Sequence, residues 1–215
     1  MEFQKDELND ILNIFQQESA EIISSMDAKL LKLENEDIIS DCIDEVTHAA
    51  GMMQENKIGA LIVFERSTQL GEIVNTGTII DAEASVSMIN NVFFPKSPLH
   101  DGAMVIRNGR LYAAGCILPL TQREDISLQL GTRHRAAIGM TENSDAIVLV
   151  VSEETGTISI VNNGKITRNY TPVAATAELK NLLLTNEEKD NKPTVTSVIK
   201  KIIFTKKQEE ETDKK

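Results

Sequence analysis

Two short segments carry most of the side chains able to do chemistry. The first is Pro98-Leu99-His100-Asp101-Gly102-Ala103. A carboxylate beside small residues at a strand edge can hold a divalent cation or take a proton from a substrate hydroxyl. Gly102 and Ala103 leave the main chain open to close approach by a ligand. Asp-Gly is also a common turn pair, and taken alone the segment reads more readily as a plain turn. The second segment is Gly131-Thr132-Arg133-His134-Arg135-Ala136-Ala137. Gly-Thr at a helix start offers free backbone N–H groups and the positive end of the helix dipole to an anion. Arg133 and Arg135 add forked donors that match phosphate oxygens, and Thr132 shares a helix face with Arg135. A solvated basic helix start is the plainer reading. Basic residues in a first turn oppose the dipole, however, so an anionic partner explains them better.

A third segment, Ser152-Glu153-Glu154-Thr155-Gly156, follows a run of branched apolar residues. Its carboxylates and hydroxyls suit a metal or polyphosphate, and equally an ordinary hairpin turn. His48 has no companion at ligand spacing. Several other chemistries are excluded. There is no Gly-rich loop ending in Gly-Lys-Ser/Thr, no Gly-x-Ser-x-Gly nucleophile setting and no Cys/His zinc set.

These segments need elements to hold them. Before residue 57 the spacing is helical: Leu8, Leu12, Phe15, Ile22, Met26, Leu30 and Leu33 form one stripe. A polar break, Glu34-Asn35-Glu36-Asp37, precedes a second stripe through Ile38, Cys42, Ile43, Val46, Ala49, Ala50 and Met53. Two helices folded as a hairpin are expected there, packing on their own domain or serving oligomerisation and control. After residue 57 the texture changes. Runs at 58–65 and 146–152 have the profile of buried strands, with a strand at 157–161 pairing with the second run. Strands at 103–107 and 110–118 flank Asn108-Gly109, a strong hairpin turn, and Asn163-Gly164 supplies another. Helices are expected at 82–94, 132–140 and 177–184, with Gly71 and Gly77 punctuating a loop. The order implies an α/β (α+β) fold, a mixed sheet flanked by helices and preceded by an N-terminal helical hairpin. Expected boundaries are 1–57, 58–204 and a disordered charged tail at 205–215.

Charge distribution agrees with an anionic substrate. The chain of 215 residues carries a net −11. Residues 1–57 hold 14 acidic and 4 basic side chains, and the remainder holds 19 and 18. The acidity therefore belongs to the helical segment, and the rest opposes a polyanion only weakly. Such a balance argues against a nucleic-acid surface. No apolar run reaches bilayer-spanning length, and the acidic start does not resemble a secretory signal, so a cytoplasmic location is expected. Cys42 and Cys116, the two cysteines, read as small packing residues.

Together the segments GALIVFER (59–66), PLHDGA (98–103), GTRHRAA (131–137) and SEETG (152–156) closely resemble the bacterial diadenylate cyclase domain over about residues 58–170. The resemblance implies conversion of two ATP into cyclic di-AMP and two pyrophosphates, with Mg2+ or Mn2+. It implies that Asp101 acts at the 3′-hydroxyl, that Gly102 and Ala103 line the nucleotide, and that Thr132, Arg133, His134 and Arg135 bind phosphates beside Gly131. Ser152 and Glu153 would lie near the triphosphate, and His100 and Glu153 would join Asp101 as metal ligands. The strand ending at Cys116-Ile117-Leu118 would border the adenine. The arrangement resembles a soluble, sporulation-associated form working as face-to-face dimers within a higher oligomer such as a hexamer, without nucleic acid or membrane. The alternative is a sensor that holds ATP or cyclic di-AMP without turnover, which complete DGA and RHR segments count against.

Overall fold

A computed structural model describes residues 3–123 and 130–185. Its centre is a strand that is buried on both faces, β1 (Ala60–Phe64), because each of its five residues is apolar. β5 (Ile147–Val151) has the same character and lies antiparallel to it, Ile62 facing Leu149. On its other side β1 pairs in parallel with β3 (Ala103–Arg107), Ile62 facing Met104. β4 (Arg110–Cys116), β6 (Ile158–Asn162) and two edge strands, β2 (Thr78–Glu83) and β7 (Lys165–Tyr170), complete a mixed seven-stranded sheet of order β2-β4-β3-β1-β5-β6-β7. Both Asn-Gly turns form as expected. Asn108 and Gly109 have φ of 49° and 71°, and Asn163 and Gly164 have 49° and 68°, the doubly left-handed pair that matches strand twist.

Helices cover both faces. α1 (Phe3–Asn56), α3 (Val86–Phe93) and α5 (Pro172–Leu184) lie on one side, where Ile43, Val46, Met53, Ile89, Phe93 and Leu179 pack on Ile62, Met104 and Leu149. α2 (Gly71–Val74) and α4 (Thr132–Glu142) lie on the other, where Val74, Ala137 and Ile138 meet Val63, Val148 and Val161. The alternation of strand side chains produces two apolar layers around one sheet.

The expected N-terminal hairpin is not present: 54 residues form the single helix α1. Glu34-Asn35-Glu36-Asp37 interrupts the apolar stripe without interrupting the backbone, since none of the four is Gly or Pro. Lys32 pairs with Glu36 across that stretch at 3.8 Å, one helical turn apart. The two stripes then have different fates. Cys42, Ile43, Val46, Ala49, Ala50 and Met53 are buried against the sheet, so this half of α1 belongs to the core rather than to a separate hairpin. Burial pushes the Cys42 thiol up to about 12, helped by the charge of Glu45, consistent with a packing role. Ile22, Met26, Leu30 and Leu33 are more than half exposed. Side-chain contacts fix the buried half: Thr47 meets Thr176 of α5 at 2.8 Å, Lys180 pairs with Asp44 at 2.8 Å, and Glu45 accepts from Val86 N at 2.6 Å.

Four local elements also differ from expectation. α3 begins at Val86 because β2 takes Ala82 and Glu83, and Ser85 caps the helix by accepting from Met88 N at 3.3 Å. α5 begins at Pro172, with Thr171 Oγ1 accepting from Ala174 N, a start signalled by Thr-Pro. β2 and β7 lie where no strand was expected, as edge strands with few buried side chains do. The expected tail at 205–215, and the end of the expected domain 58–204, lie outside the described residues.

Candidate functional site

Strand register collects the conspicuous segments at one end of the sheet. Two steps before the pair Ile62–Met104 stand Ala60 and Gly102, and Ala60 faces Val151 on the other side. The DGA segment, the start of β1 and the Ser152-Glu153 turn are thus neighbours. Cys116 pairs with Ala103, which brings the end of β4 to the same place.

Gly102 is required there. Its φ is +144°, and a Cβ would lie 2.6 Å from the Gly115 carbonyl carbon. No L side chain fits that backbone or that gap. Gly115 is itself left-handed (φ +70°), with the Leu99 side chain against it. Ala103 is fully buried, so only its main chain can meet a ligand. Asp101 is exposed, at the tip of this tightly packed turn. Beside it His100 is half-buried, with Nδ1 2.6 Å from the Ser97 carbonyl. A carbonyl oxygen can only accept, so that contact places a proton on Nδ1.

The start of α4 reaches the same end of the sheet through Gly59. A Cβ at Gly59 would lie 2.6 Å from Arg133 Nη1 and 3.1 Å from Glu153 Cβ, so the absent side chain is the space Arg133 occupies. Arg133 Nη1 donates to Glu153 Oε2 at 2.6 Å. Glu153 is two-thirds exposed, so the pair adds little stability, ~0.2–1 kcal/mol. Arg133 is therefore easily redirected to a stronger anion. Thr132 and Arg135 are exposed around the uncapped Gly131. Backbone contacts join α4 to the segment after β4: Thr121 N donates to Arg135 O at 3.1 Å, and a Cβ at Gly139 would strike Pro119 O. Leu118, nearly buried, lies in that segment. Ser152 shapes the turn, its carbonyl accepting from Gly156 N at 2.8 Å.

His134 is placed differently from its neighbours. It is 4% exposed, and its Nε2 has no hydrogen-bond partner among the described residues. Burial lowers its pKa, and the charge of Arg168 lowers it further, so the ring is neutral. The structure thus brings Asp101, Gly102, Ala103, Thr132, Arg133, Ser152 and Glu153 to one end of the sheet, and turns His134 inward. Sequence reasoning gave no role to Gly59. A glycine directly ahead of a buried strand was the available signal.

Among the described residues no three His, Cys, Asp or Glu side chains converge as a metal cage. The donors fit a cation only in the manner of Mg2+ sites that take one or two carboxylates plus substrate phosphates. Asp101, exposed at the turn, is the carboxylate such a site would draw on, and His100 adjoins it in the chain.

Comparison with known proteins fits this geometry. The family described as DisA bacterial checkpoint controller nucleotide-binding matches residues 47–166, beginning within the buried half of α1. Cyclic di-AMP synthase CdaS of Bacillus subtilis is 48% identical over 120 residues, covering 56% of this chain and 58% of that protein. Cyclic di-AMP synthase CdaA of the same species is 41% identical over 152 residues, covering 71% and 54% respectively. The chain thus spans a little over half the length of these relatives. A crystal structure of a double mutant of DacA from Staphylococcus aureus superposes with a TM-score of 0.63 at 44% identity, over 65% of this chain and 93% of that one. A match across more than half its length, on the elements that carry the site, places this chain in the DAC family of DisA-type nucleotide-binding domains.

Proposed function

We propose that the protein is a diadenylate cyclase, which joins two ATP into 3′,5′-cyclic di-AMP and releases two pyrophosphates. The observation that supports it most is the meeting of the DGA turn, the start of α4 and the Ser152-Glu153 turn at one sheet end, in a chain whose relatives are named cyclic di-AMP synthases. Each 3′-hydroxyl loses its proton and forms a bond to the α-phosphorus of the other ATP. The bond from that phosphorus to its β-bridging oxygen breaks, and pyrophosphate carries the electron pair away.

In this reading Asp101 accepts the proton, at the tip of a turn that Gly102 holds against Gly115. Arg133, Arg135, Thr132 and the free N–H groups after Gly131 receive the triphosphate. Arg133 leaves Glu153 for phosphate, which frees that carboxylate beside Ser152. Leu118 and the end of β4 supply an apolar border for adenine. Asp101, with His100 and Glu153, would hold Mg2+ or Mn2+, which supplies charge neutralisation at the phosphates.

One chain offers one Asp101 and one α4 start, whereas ring closure needs both for each nucleotide. Two copies meeting face to face across a two-fold axis supply them. The exposed stripe Ile22, Met26, Leu30 and Leu33 suits pairing with further copies in a higher oligomer such as a hexamer. None of the described helices is long and apolar enough to cross a membrane. A cytoplasmic, sporulation-associated role is part of the same proposal. Purified protein with ATP and Mn2+ should yield cyclic di-AMP by mass spectrometry. ATP held tightly with no cyclic product would instead make it a sensor.

A further inference from the structure

The turn that carries Ser152 and Glu153 rests on the end of α1. Glu153, Glu154 and Thr155 are exposed, whereas Gly156 is buried. A Cβ at Gly156 would lie 2.5 Å from the Gln54 main-chain oxygen, so the turn packs directly on that carbonyl. The carbonyl is itself held in place. Lys57 N donates to Gln54 O at 3.3 Å, Ile58 N donates to Met53 O at 2.9 Å, and Met53 is buried in the core. With Lys57 left-handed (φ 53°), these two bonds close the helix in a fixed terminal turn. On the other side of the contact, Gly156 N donates to Ser152 O at 2.8 Å, and Ser152 N donates to Thr157 O at 3.0 Å. A shift of Gly156 is therefore passed to Ser152 and Glu153. Two residues beyond Lys57 stands Gly59, whose missing side chain leaves the space where Arg133 Nη1 and Glu153 Cβ come together.

We propose that Gly156 is a positioning residue, which seats the Ser152-Glu153 turn on the terminal turn of α1 and so sets Glu153 opposite Arg133. Glycine is required on two counts. Its φ is +74°, and any Cβ there would meet main chain that the helix end does not let move. The Arg133–Glu153 pair is too exposed to hold its own geometry, with the carboxylate side chain 66% accessible. Its geometry comes instead from the elements that present it, α4 for the arginine and the seated turn for the carboxylate. A displaced turn moves the group that first holds Arg133 and then faces the phosphates. The end of α1 is thereby part of the support of the site, although none of its side chains enters it. This deepens the cyclase reading and rests on it for the kinetic effect alone.

A spectrum and a rate together test this. In full-length protein labelled with 15N-arginine, the side-chain signal lost in Arg133→Lys identifies that guanidinium. It should move in Glu153→Gln, and also in Gly156→Asn, because asparagine tolerates a left-handed backbone while its Cβ meets the Gln54 carbonyl. The same change at Gly164 is the control. Its φ is +68°, at the other end of β6, and the nearest atom is the yielding Glu142 side chain, so Gly164→Asn should leave the signal unmoved. Gly156→Asn should lower kcat/KM for ATP by about tenfold or more, and Gly164→Asn by no more than about twofold. Added to Glu153→Gln, Gly156→Asn should lower it by no more than about a further threefold, as expected of two residues acting through one group. An Arg133 signal unmoved in Gly156→Asn overturns the seat. A moved signal with unchanged kcat/KM, or losses that add in the double variant, overturns the positioning role. Wild-type protein making no cyclic di-AMP would refute the cyclase reading, while the spectrum still decides the seat.

Discussion

Asp101 and Asp145 show how differently one side-chain type is used at the two ends of the sheet. Asp101 is exposed on a turn that only glycine can follow, and its proposed work is proton transfer. Asp101→Asn should lower cyclic di-AMP formation by at least about a hundredfold while leaving the melting temperature within about 2 °C, checked by product assay and calorimetry. Asp145 is structural. Burial pulls its pKa upward, but hydrogen bonds from the Ser67 hydroxyl and from the Ser67 and Thr68 backbones outweigh this and hold it down to about 2. A carboxylate depressed in the folded state stabilises above its unfolded pKa, and that contribution is lost as pH falls through the folded one. Asp145→Ala should therefore lower the melting temperature near neutral pH by about 2–4 °C, roughly 1 kcal/mol after allowance for its exposure. The difference should shrink as pH falls below about 4 and vanish only below about pH 2. At Gly59 a larger residue would push Arg133 aside, so Gly59→Val should raise the KM for ATP more than it lowers stability.

At the scale of elements, α1 corrects the most important expectation. A break in an apolar stripe reads as a loop when the helix is assumed to bury one face throughout. Here the stripe changes partner at about Ile38, from whatever meets Ile22–Leu33 to the sheet itself. Removing residues 1–55 would strip Ile43, Val46 and Met53 from the core, at about 2–5 kcal/mol for each large side chain lost, and should leave insoluble protein. Removing only 1–36 should leave a folded, more active enzyme if the exposed half restrains pairing of active faces. Solubility and specific activity of the two truncations check this. Buried strands and Asn-Gly turns were legible because their signals are local: β1 and β5 are unbroken apolar runs, and left-handed turns demand those residues. β2 and β7 were not, because an edge strand buries little and its composition stays polar. The site was legible in part. Its segments were recognisable, but not which side of α4 faces inward. The spacing His134, Ala137, Ile138, Thr141 does mark one buried face, and sheet contact makes the histidine part of it.

For the whole molecule, a lone chain presents half of the proposed reaction centre. The sheet gathers Asp101 and the α4 start at one end, yet ring closure requires a second set facing the first. Activity should therefore rise more steeply than linearly with protein concentration wherever the active faces dissociate. Chains carrying Asp101→Asn should poison wild-type partners in mixtures. The most direct measurement is incubation of the purified full-length chain with ATP and either Mn2+ or Mg2+, with products resolved by mass. Cyclic di-AMP and pyrophosphate should form in a 1:2 ratio, and both should be lost in Asp101→Asn. Bound ATP with no cyclic product under either metal would contradict this.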